Sequence, residues 1–74
     1  MAAGELLKLG IYKHYKGNKY RVLGLARHSE TLEKLVVYKD MDGEEKMWVR
    51  PLDMFLEDVI INNRVEKRFE YIGE

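Results

Sequence analysis

Five adjacent residues carry side-chain types from which hydrolytic and anion-binding sites are commonly built: Arg27, His28, Ser29, Glu30 and Thr31. A catalytic triad is defined by geometry, however, and neighbouring residues of an extended chain point in alternating directions. The favoured prediction is a loop in which Ser29, Glu30 and Thr31 bond nearby backbone groups. Contact with an anion or another ligand is the alternative, and catalysis by this segment ranks third.

A second set of side chains interleaves aromatic rings with cations. It contains Tyr12, Tyr15, Tyr20, Tyr38 and Trp48, together with Lys13, Lys16, Arg21 and Arg50. Aromatic planes beside cations suit nucleobases, proline-rich peptides and other flat ligands, but a small domain also needs large rings in its core. The candidate binding residues from both sets are His14, Lys16, Tyr20, Arg27, His28, Ser29, Glu30, Thr31, Trp48 and Arg50.

Several of these residues share an alternation phase within their own segments, namely Tyr12, His14, Tyr20, Val22, Val36, Tyr38, Trp48 and Arg50. Their lying on one face is a hypothesis, because alternation does not give the register between strands. Arg50 has two alternatives. It either pairs with Asp53 or Glu57 as a structural clamp, which is favoured, or presents a donor fork to a carboxylate or phosphate.

Metal and cofactor chemistry have little support in the sequence. His14 and His28 are two ligands without an evident third, and the chain has no cysteine, so we predict no metal site and no cofactor. A binding or adaptor module is favoured. The alternative is a small enzyme, or a component of an enzyme complex, in which His28 acts with Glu30 or Glu57 as acid and base.

Turn residues at short intervals divide the chain into strand-sized pieces. Gly17-Asn18 separates residues 11–16 from 19–28, Asp42-Gly43 separates 32–40 from 46–50, and Asn62-Asn63 separates 59–61 from 65–72. Gly17 and Gly43 are predicted to supply positive φ, and Gly24 predicts a bend or bulge within its strand.

Pro51 interrupts the strand pattern and is followed by residues at helical spacing. Leu52, Phe55, Leu56 and Val59 predict about two helical turns that dock Phe55 and Leu56 into the core. Residues 65–72 alternate as one half-exposed final strand.

These elements predict an all-β fold, a small SH3-like, partly open barrel of five or six strands with one short helical turn. The alternative is a strongly bent open antiparallel sheet. Residues 10–72 form the single domain, and residues 1–9 form an arm that is either a helical turn over 5–9 or without fixed structure. At 74 residues, the chain has room for only one small core.

The net charge of zero does not favour nucleic acid as a partner, since phosphate binding needs a surplus of cations. Lysine and arginine dominate residues 1–28, whereas aspartate and glutamate dominate residues 40–58. We expect a protein, a peptide or a small anionic ligand as partner. The chain contains neither a membrane-length apolar run nor a secretory signal pattern, which predicts no membrane association and a cytoplasmic location.

The blocks GIYKHYKGNKYRVLGLARHSET, LVVY, MWVRPLDMF and VEKRF, in this order and spacing, closely resemble the small bacterial domain-of-unknown-function family numbered 1653. The resemblance extends from about Gly10 to Ile72. It implies no particular activity. On the matching positions it implies that the family's recurrent residues are Tyr12, His14, Tyr15, Lys16, Gly17, Tyr20, His28, Thr31, Tyr38, Trp48, Arg50, Pro51, Phe55 and Arg68.

Overall fold

In the computed structural model, the described residues are 7–41, 43, 44 and 46–74. They form seven strands and one short helix. The elements are β1 (Gly10–His14), β2 (Lys19–Arg27), β3 (Lys34–Asp40), β4 (Met47–Pro51), α1 (Leu52–Phe55), β5 (Asp58–Ile61), β6 (Arg64–Lys67) and β7 (Phe69–Gly73). Five strands make one sheet in the order β4-β3-β2-β1-β7, and β5 pairs with β6 in a second sheet.

All strand pairs are antiparallel. The all-β class with one short helix is confirmed, and of the two predicted architectures the structure matches the open antiparallel sheet. The described strands do not close into a barrel, because β4 and β7 remain at opposite edges of the larger sheet.

Two of the predicted turns are confirmed by their backbone angles. Gly17 has φ 108°, and the backbone N–H of Gly17 donates to the carbonyl of His14 at 2.7 Å. Asn62 and Asn63 have φ 52° and 64°, which is the left-handed pair that a two-residue hairpin turn requires. The turn at Gly43 includes positions 42 and 45, which lie outside the described residues, so its predicted conformation stays a prediction.

The predicted irregularity at Gly24 is also found. The register between β2 and β3 shifts between Val22 and Gly24, as a bulge requires. A second shift occurs where β1 pairs with β7, between Ile11 and Tyr12. Bulges of this kind bend strands and increase their twist.

The core lies between one face of the larger sheet and α1. Its buried residues are Leu7, Tyr12, Val22, Val36, Tyr38, Leu52, Phe55 and Phe69. Because Leu7 belongs to this core, the described part of the predicted arm packs against the domain. Lys8 reinforces this attachment, since its backbone carbonyl accepts a hydrogen bond of 2.7 Å from the Tyr12 hydroxyl. Residues 1–6 lie outside the described residues.

Two parts of the predicted second half are wrong, namely the length of the helix and the single final strand. Helix α1 is a single turn, so Leu56 is 37% exposed instead of docked, and Val59 belongs to β5. The predicted break at Pro51 agrees with the structure, since β4 ends at Pro51 and α1 begins at Leu52. The predicted strand over 65–72 is two strands, β6 and β7, separated by Arg68.

Among the described residues, no helix has the length and apolar character needed to cross a membrane.

Candidate functional site

The strand register supports the hypothesis of a shared face. Directly paired residues of antiparallel strands lie on the same side of a sheet. Tyr12 pairs with Tyr20, Tyr38 with Trp48 and His14 with Phe69. Val22 and Val36 lie on the same face, because Val22 pairs with Tyr38 and Val36 pairs with Arg50.

The aromatic residues of this face form the floor of the candidate site. Phe69 is central, with ring centroids of Tyr20 and Tyr38 at 5.8 Å and 5.6 Å. Tyr38 is buried and Tyr20 is half-buried, so the rings divide between core and surface as expected. Trp48 stands at the rim, 47% exposed, and its indole Nε1 donates to Asp40 Oδ1 at 2.9 Å.

His14 sits at the edge of this aromatic floor. Its ring lies 4.9 Å from Phe69 and 4.4 Å from Tyr15, between centroids. Its Nδ1 accepts the backbone N–H of Lys16 at 3.2 Å, which leaves Nε2 for another partner. Burial lowers the pKa of His14, and the nearby charges of Arg50, Arg68 and Lys16 lower it further. Cations therefore converge on this end of the sheet.

Arg50 extends over the same floor. Its guanidinium carbon is 5.6 Å from the centroid of Phe69, and its Nε donates to the Tyr38 hydroxyl at 3.4 Å. The predicted clamp to Asp53 or Glu57 is not formed. Asp53 Oδ1 instead accepts the backbone N–H of Met54, and Glu57 Oε1 pairs with Arg68 at 3.0 Å.

A groove of about 460 Å³ borders His14. It separates the end of β1 from β6 and is lined by Lys13, His14, Tyr15, Arg64, Glu66, Lys67 and Glu70. Reasoning from residue types did not single out Phe69, Arg64 or Lys67. In the main sheet β1 pairs with β7, although these two strands are far apart along the chain. No local pattern in the sequence predicts that pairing.

The comparisons with known proteins agree with this architecture. A family model described as "Protein of unknown function (DUF1653)" matches residues 10–71. The chain belongs to the DUF1653 family. A crystal structure of a DUF1653 protein from Bordetella bronchiseptica is 38% identical and has a TM-score of 0.87, with 96% of this chain and 94% of that chain covered. No curated protein matches the chain.

In this DUF1653 domain the segment 27–31 is remote from His14. His14 and His28 lie beyond opposite ends of β2, roughly 30 Å apart along a strand of that length. The predicted residues therefore form two groups. One group contains His14, Lys16, Tyr20, Trp48 and Arg50, and the other contains the loop 27–31.

Side chains of the DUF1653 loop bond its own backbone, and of the three residues predicted to do so the contacts include Thr31. His28 Nδ1 accepts the backbone N–H groups of Glu30 and Thr31 at 3.1 Å and 3.3 Å. The Thr31 hydroxyl accepts the backbone N–H of Glu33 at 3.2 Å. Residues 27–34 are all exposed.

Glu57 lies at the His14 end of the domain, because the backbone of Arg68 bonds both Glu57 and Tyr15. Glu57 and His28 are therefore not brought together. Within the described ranges, no three histidine, aspartate or glutamate side chains are grouped as a metal site would need.

Proposed function

We propose that this DUF1653 domain is a small binding module that holds an anionic ligand on the His14–Arg50 face, defined here as His14, Lys16, Tyr20, Trp48 and Arg50. The ligand presents a carboxylate or a phosphate, either as a small molecule or as part of a peptide or protein. The proposal leaves out the loop 27–31, which is at the other end of β2.

Arg50 is the observation that carries the proposal. Arg50 is half-buried, and none of the carboxylates that the structure describes pairs with its guanidinium. Its Nε donates to the Tyr38 hydroxyl, and no acceptor among the described residues bonds its two terminal nitrogens, which are therefore the donors we assign to a ligand. A planar donor fork fits two oxygens of a carboxylate or phosphate, and charge-assisted bonds of this type are stronger than neutral ones.

The neighbouring residues support the same assignment. His14 retains Nε2, and the charge of Lys16 reaches His14. Tyr20 and Phe69 provide an apolar floor, where water competes less strongly for the charged groups. Trp48 adds an exposed ring at the rim, suited to an apolar or planar portion of the ligand.

The enzymatic alternative gains no support from these contacts. His28 Nδ1 is occupied by two backbone N–H groups, and Glu57 pairs with Arg68 far from His28. The alternative would need Glu30 alone to act with His28 on a loop whose residues 27–34 are all exposed to water.

Titration of the ¹⁵N-labelled domain with inorganic phosphate, nucleotides and a phosphopeptide tests the proposal. We expect shifts centred on residues 14–20 and 48–50, and weaker binding at high salt. Replacement Arg50→Lys should keep the fold but weaken binding by roughly 10- to 100-fold, since the fork is lost.

Arg21→Lys is the matched control, because Arg21 is also half-buried but pairs with Ile11 and Lys39 on the opposite side of the sheet. It should leave affinity unchanged. Absence of shifts with all three ligands at millimolar concentration, or equal losses in both variants, would contradict the anion site.

A further inference from the structure

Strand β4 is an edge of the main sheet and carries an exposed apolar run. Met47, Trp48 and Val49 are 64%, 47% and 61% exposed. β4 pairs with β3 over five consecutive residues without a register shift. A regular, apolar edge is a template for another strand, and natural proteins usually disrupt such edges with charges, bulges or proline.

The other edge of the sheet is protected in this way. β7 pairs with β1 across a register shift, and it carries the charged Glu70 at an exposed position. In β4 the charged residue is Arg50, and its guanidinium is turned onto Phe69 and Tyr38. Among the described residues of β4, Pro51 at its end is the one that limits pairing along this edge.

The hydrogen-bond phase shows which backbone groups of β4 face outward. The backbone N–H of Asp40 donates to the carbonyl of Lys46 at 3.0 Å. Bonded and non-bonded pairs alternate along an antiparallel ladder, so Trp48 and Arg50 bond toward β3. Met47, Val49 and Pro51 then direct their backbone groups to the open edge. Pro51 is consistent with this phase. Its backbone nitrogen points away from β3, so the lack of an N–H costs no hydrogen bond to β3.

We infer that β4 is a self-association surface, on which β4 of a second copy of this chain pairs antiparallel with Val49 opposite Val49. This inference goes beyond the proposed function and does not depend on a ligand. In this register Met47 faces the second copy's Pro51, and Trp48 faces the second copy's Arg50.

Complementarity about Val49 is what favours a second copy over an unrelated strand. Apolar residues meet apolar residues, and no like charges are opposed. Because the guanidinium of Arg50 is turned onto Phe69 and Tyr38 of its own chain, the second copy's indole packs against the aliphatic part of the Arg50 side chain. The pairing also extends each five-stranded sheet across the two-fold axis.

A two-strand contact buries less area than a standard protein interface, so the dimer should be weak and its population should depend on concentration. Sedimentation equilibrium of the parent from micromolar to about millimolar concentration should show a monomer–dimer equilibrium. Val49→Lys places two ammonium groups opposite each other and should raise the dissociation constant by about tenfold or more. Val65→Lys is the matched control, because Val65 is 70% exposed on the separate β5–β6 hairpin, and it should leave dimerisation unchanged.

Cross-linking tests the register independently. The chain has no cysteine, so Val49→Cys introduces one thiol per chain. In the proposed register the Cα atoms of residue 49 in the two copies lie about 5.5 Å apart, within the range that a disulfide allows. Mild oxidation should cross-link Val49→Cys much faster than Val65→Cys. A parent that stays monomeric at millimolar concentration, equal cross-linking of both cysteine variants, or equal effects of the two lysine substitutions would overturn the inference.

Discussion

The rings of Phe55 and Phe69 are stacked, with centroids 4.1 Å apart and planes inclined by 8°. Phe55 is the last residue of α1 and Phe69 is the first residue of β7. This contact therefore fastens the single helical turn to the last strand of the main sheet. Both residues are buried, and both contact the ring of Tyr38.

We expect Phe55→Ala to lower the free energy of unfolding by about 3 to 5 kcal/mol, because it removes a fully buried ring and leaves a cavity. That is a large fraction of the stability of a small domain. Urea unfolding followed by tryptophan fluorescence measures the change. Leu56→Ala is the control, since Leu56 follows Phe55 but is exposed, and it should cost less than about 1 kcal/mol. An unchanged unfolding midpoint for Phe55→Ala would show that α1 is not anchored by this ring.

Gly17 and Gly24 form a matched pair for testing backbone strain. A Cβ atom added at either position meets no other atom within 4 Å, but only Gly17 has a positive φ, 108°. Gly17→Val should destabilise the fold by about 1 kcal/mol or more, because a β-branched residue is strained there. Gly24→Val should cost much less, and the two melting temperatures compare them directly. Equal effects would mean that φ at Gly17 does not limit this turn.

The hairpins could be predicted because their signals are local. Glycine and asparagine favour positive φ, and Gly17, Asn62 and Asn63 adopt it. Period-two alternation locates most strands. The wrong details arise from tertiary contacts. α1 ends after one turn, so Leu56 rotates out of the core.

The architecture and the candidate site depend on which distant strands pair. β1 pairs with β7, which brings Phe69 beside His14 and leaves β4 at an edge. Alternation along the chain is equally compatible with a closed barrel and an open sheet. The shared face could be proposed from alternation phase, but only the register could place the loop 27–31 away from it.

Arg50 illustrates why sequence proximity did not identify its contacts. Asp53 and Glu57 are close to it along the chain, yet each has another role. Asp53 accepts the N–H of Met54 at the start of α1, and Glu57 pairs with Arg68, which follows β6. Only the folded chain shows that the guanidinium of Arg50 lies above the ring of Phe69.

Leu32 is strained, because it has φ 64° in the loop between β2 and β3. A bulky residue in this region carries a cost of about 1 kcal/mol, which glycine avoids. Since Leu32 is exposed, Leu32→Gly should sacrifice little packing and raise the melting temperature by about 4 to 8 °C, equivalent to roughly 1 kcal/mol in a domain of this size. Leu32→Ala keeps the strain and should change stability little. A melting temperature for Leu32→Gly at or below that of Leu32→Ala would contradict this.

His14 provides a prediction on pH dependence. Burial and the charges of Arg50, Arg68 and Lys16 lower the pKa of His14 below its usual value. The unfolded chain therefore binds a proton at this residue more readily than the folded chain does. The contribution of His14 to stability should be constant above about pH 6.5, and it should be lost as the pH falls through the ordinary histidine pKa toward the lowered one.

Proton NMR of the imidazole ring can follow this titration directly, since the chain has two histidines and His14→Gln assigns their signals. Arg50→Gln removes one of the repelling charges and should raise the pKa of His14, whereas Arg21→Gln, on the opposite side of the sheet, should not.

If the His14–Arg50 face binds an anion, saturating inorganic phosphate should also raise the pKa of His14, because the bound negative charge favours the imidazolium form. The Arg50→Gln protein should lose most of this response to phosphate. A pKa of His14 that responds neither to Arg50→Gln nor to phosphate would separate the histidine electrostatically from Arg50 and remove its proposed role in the site.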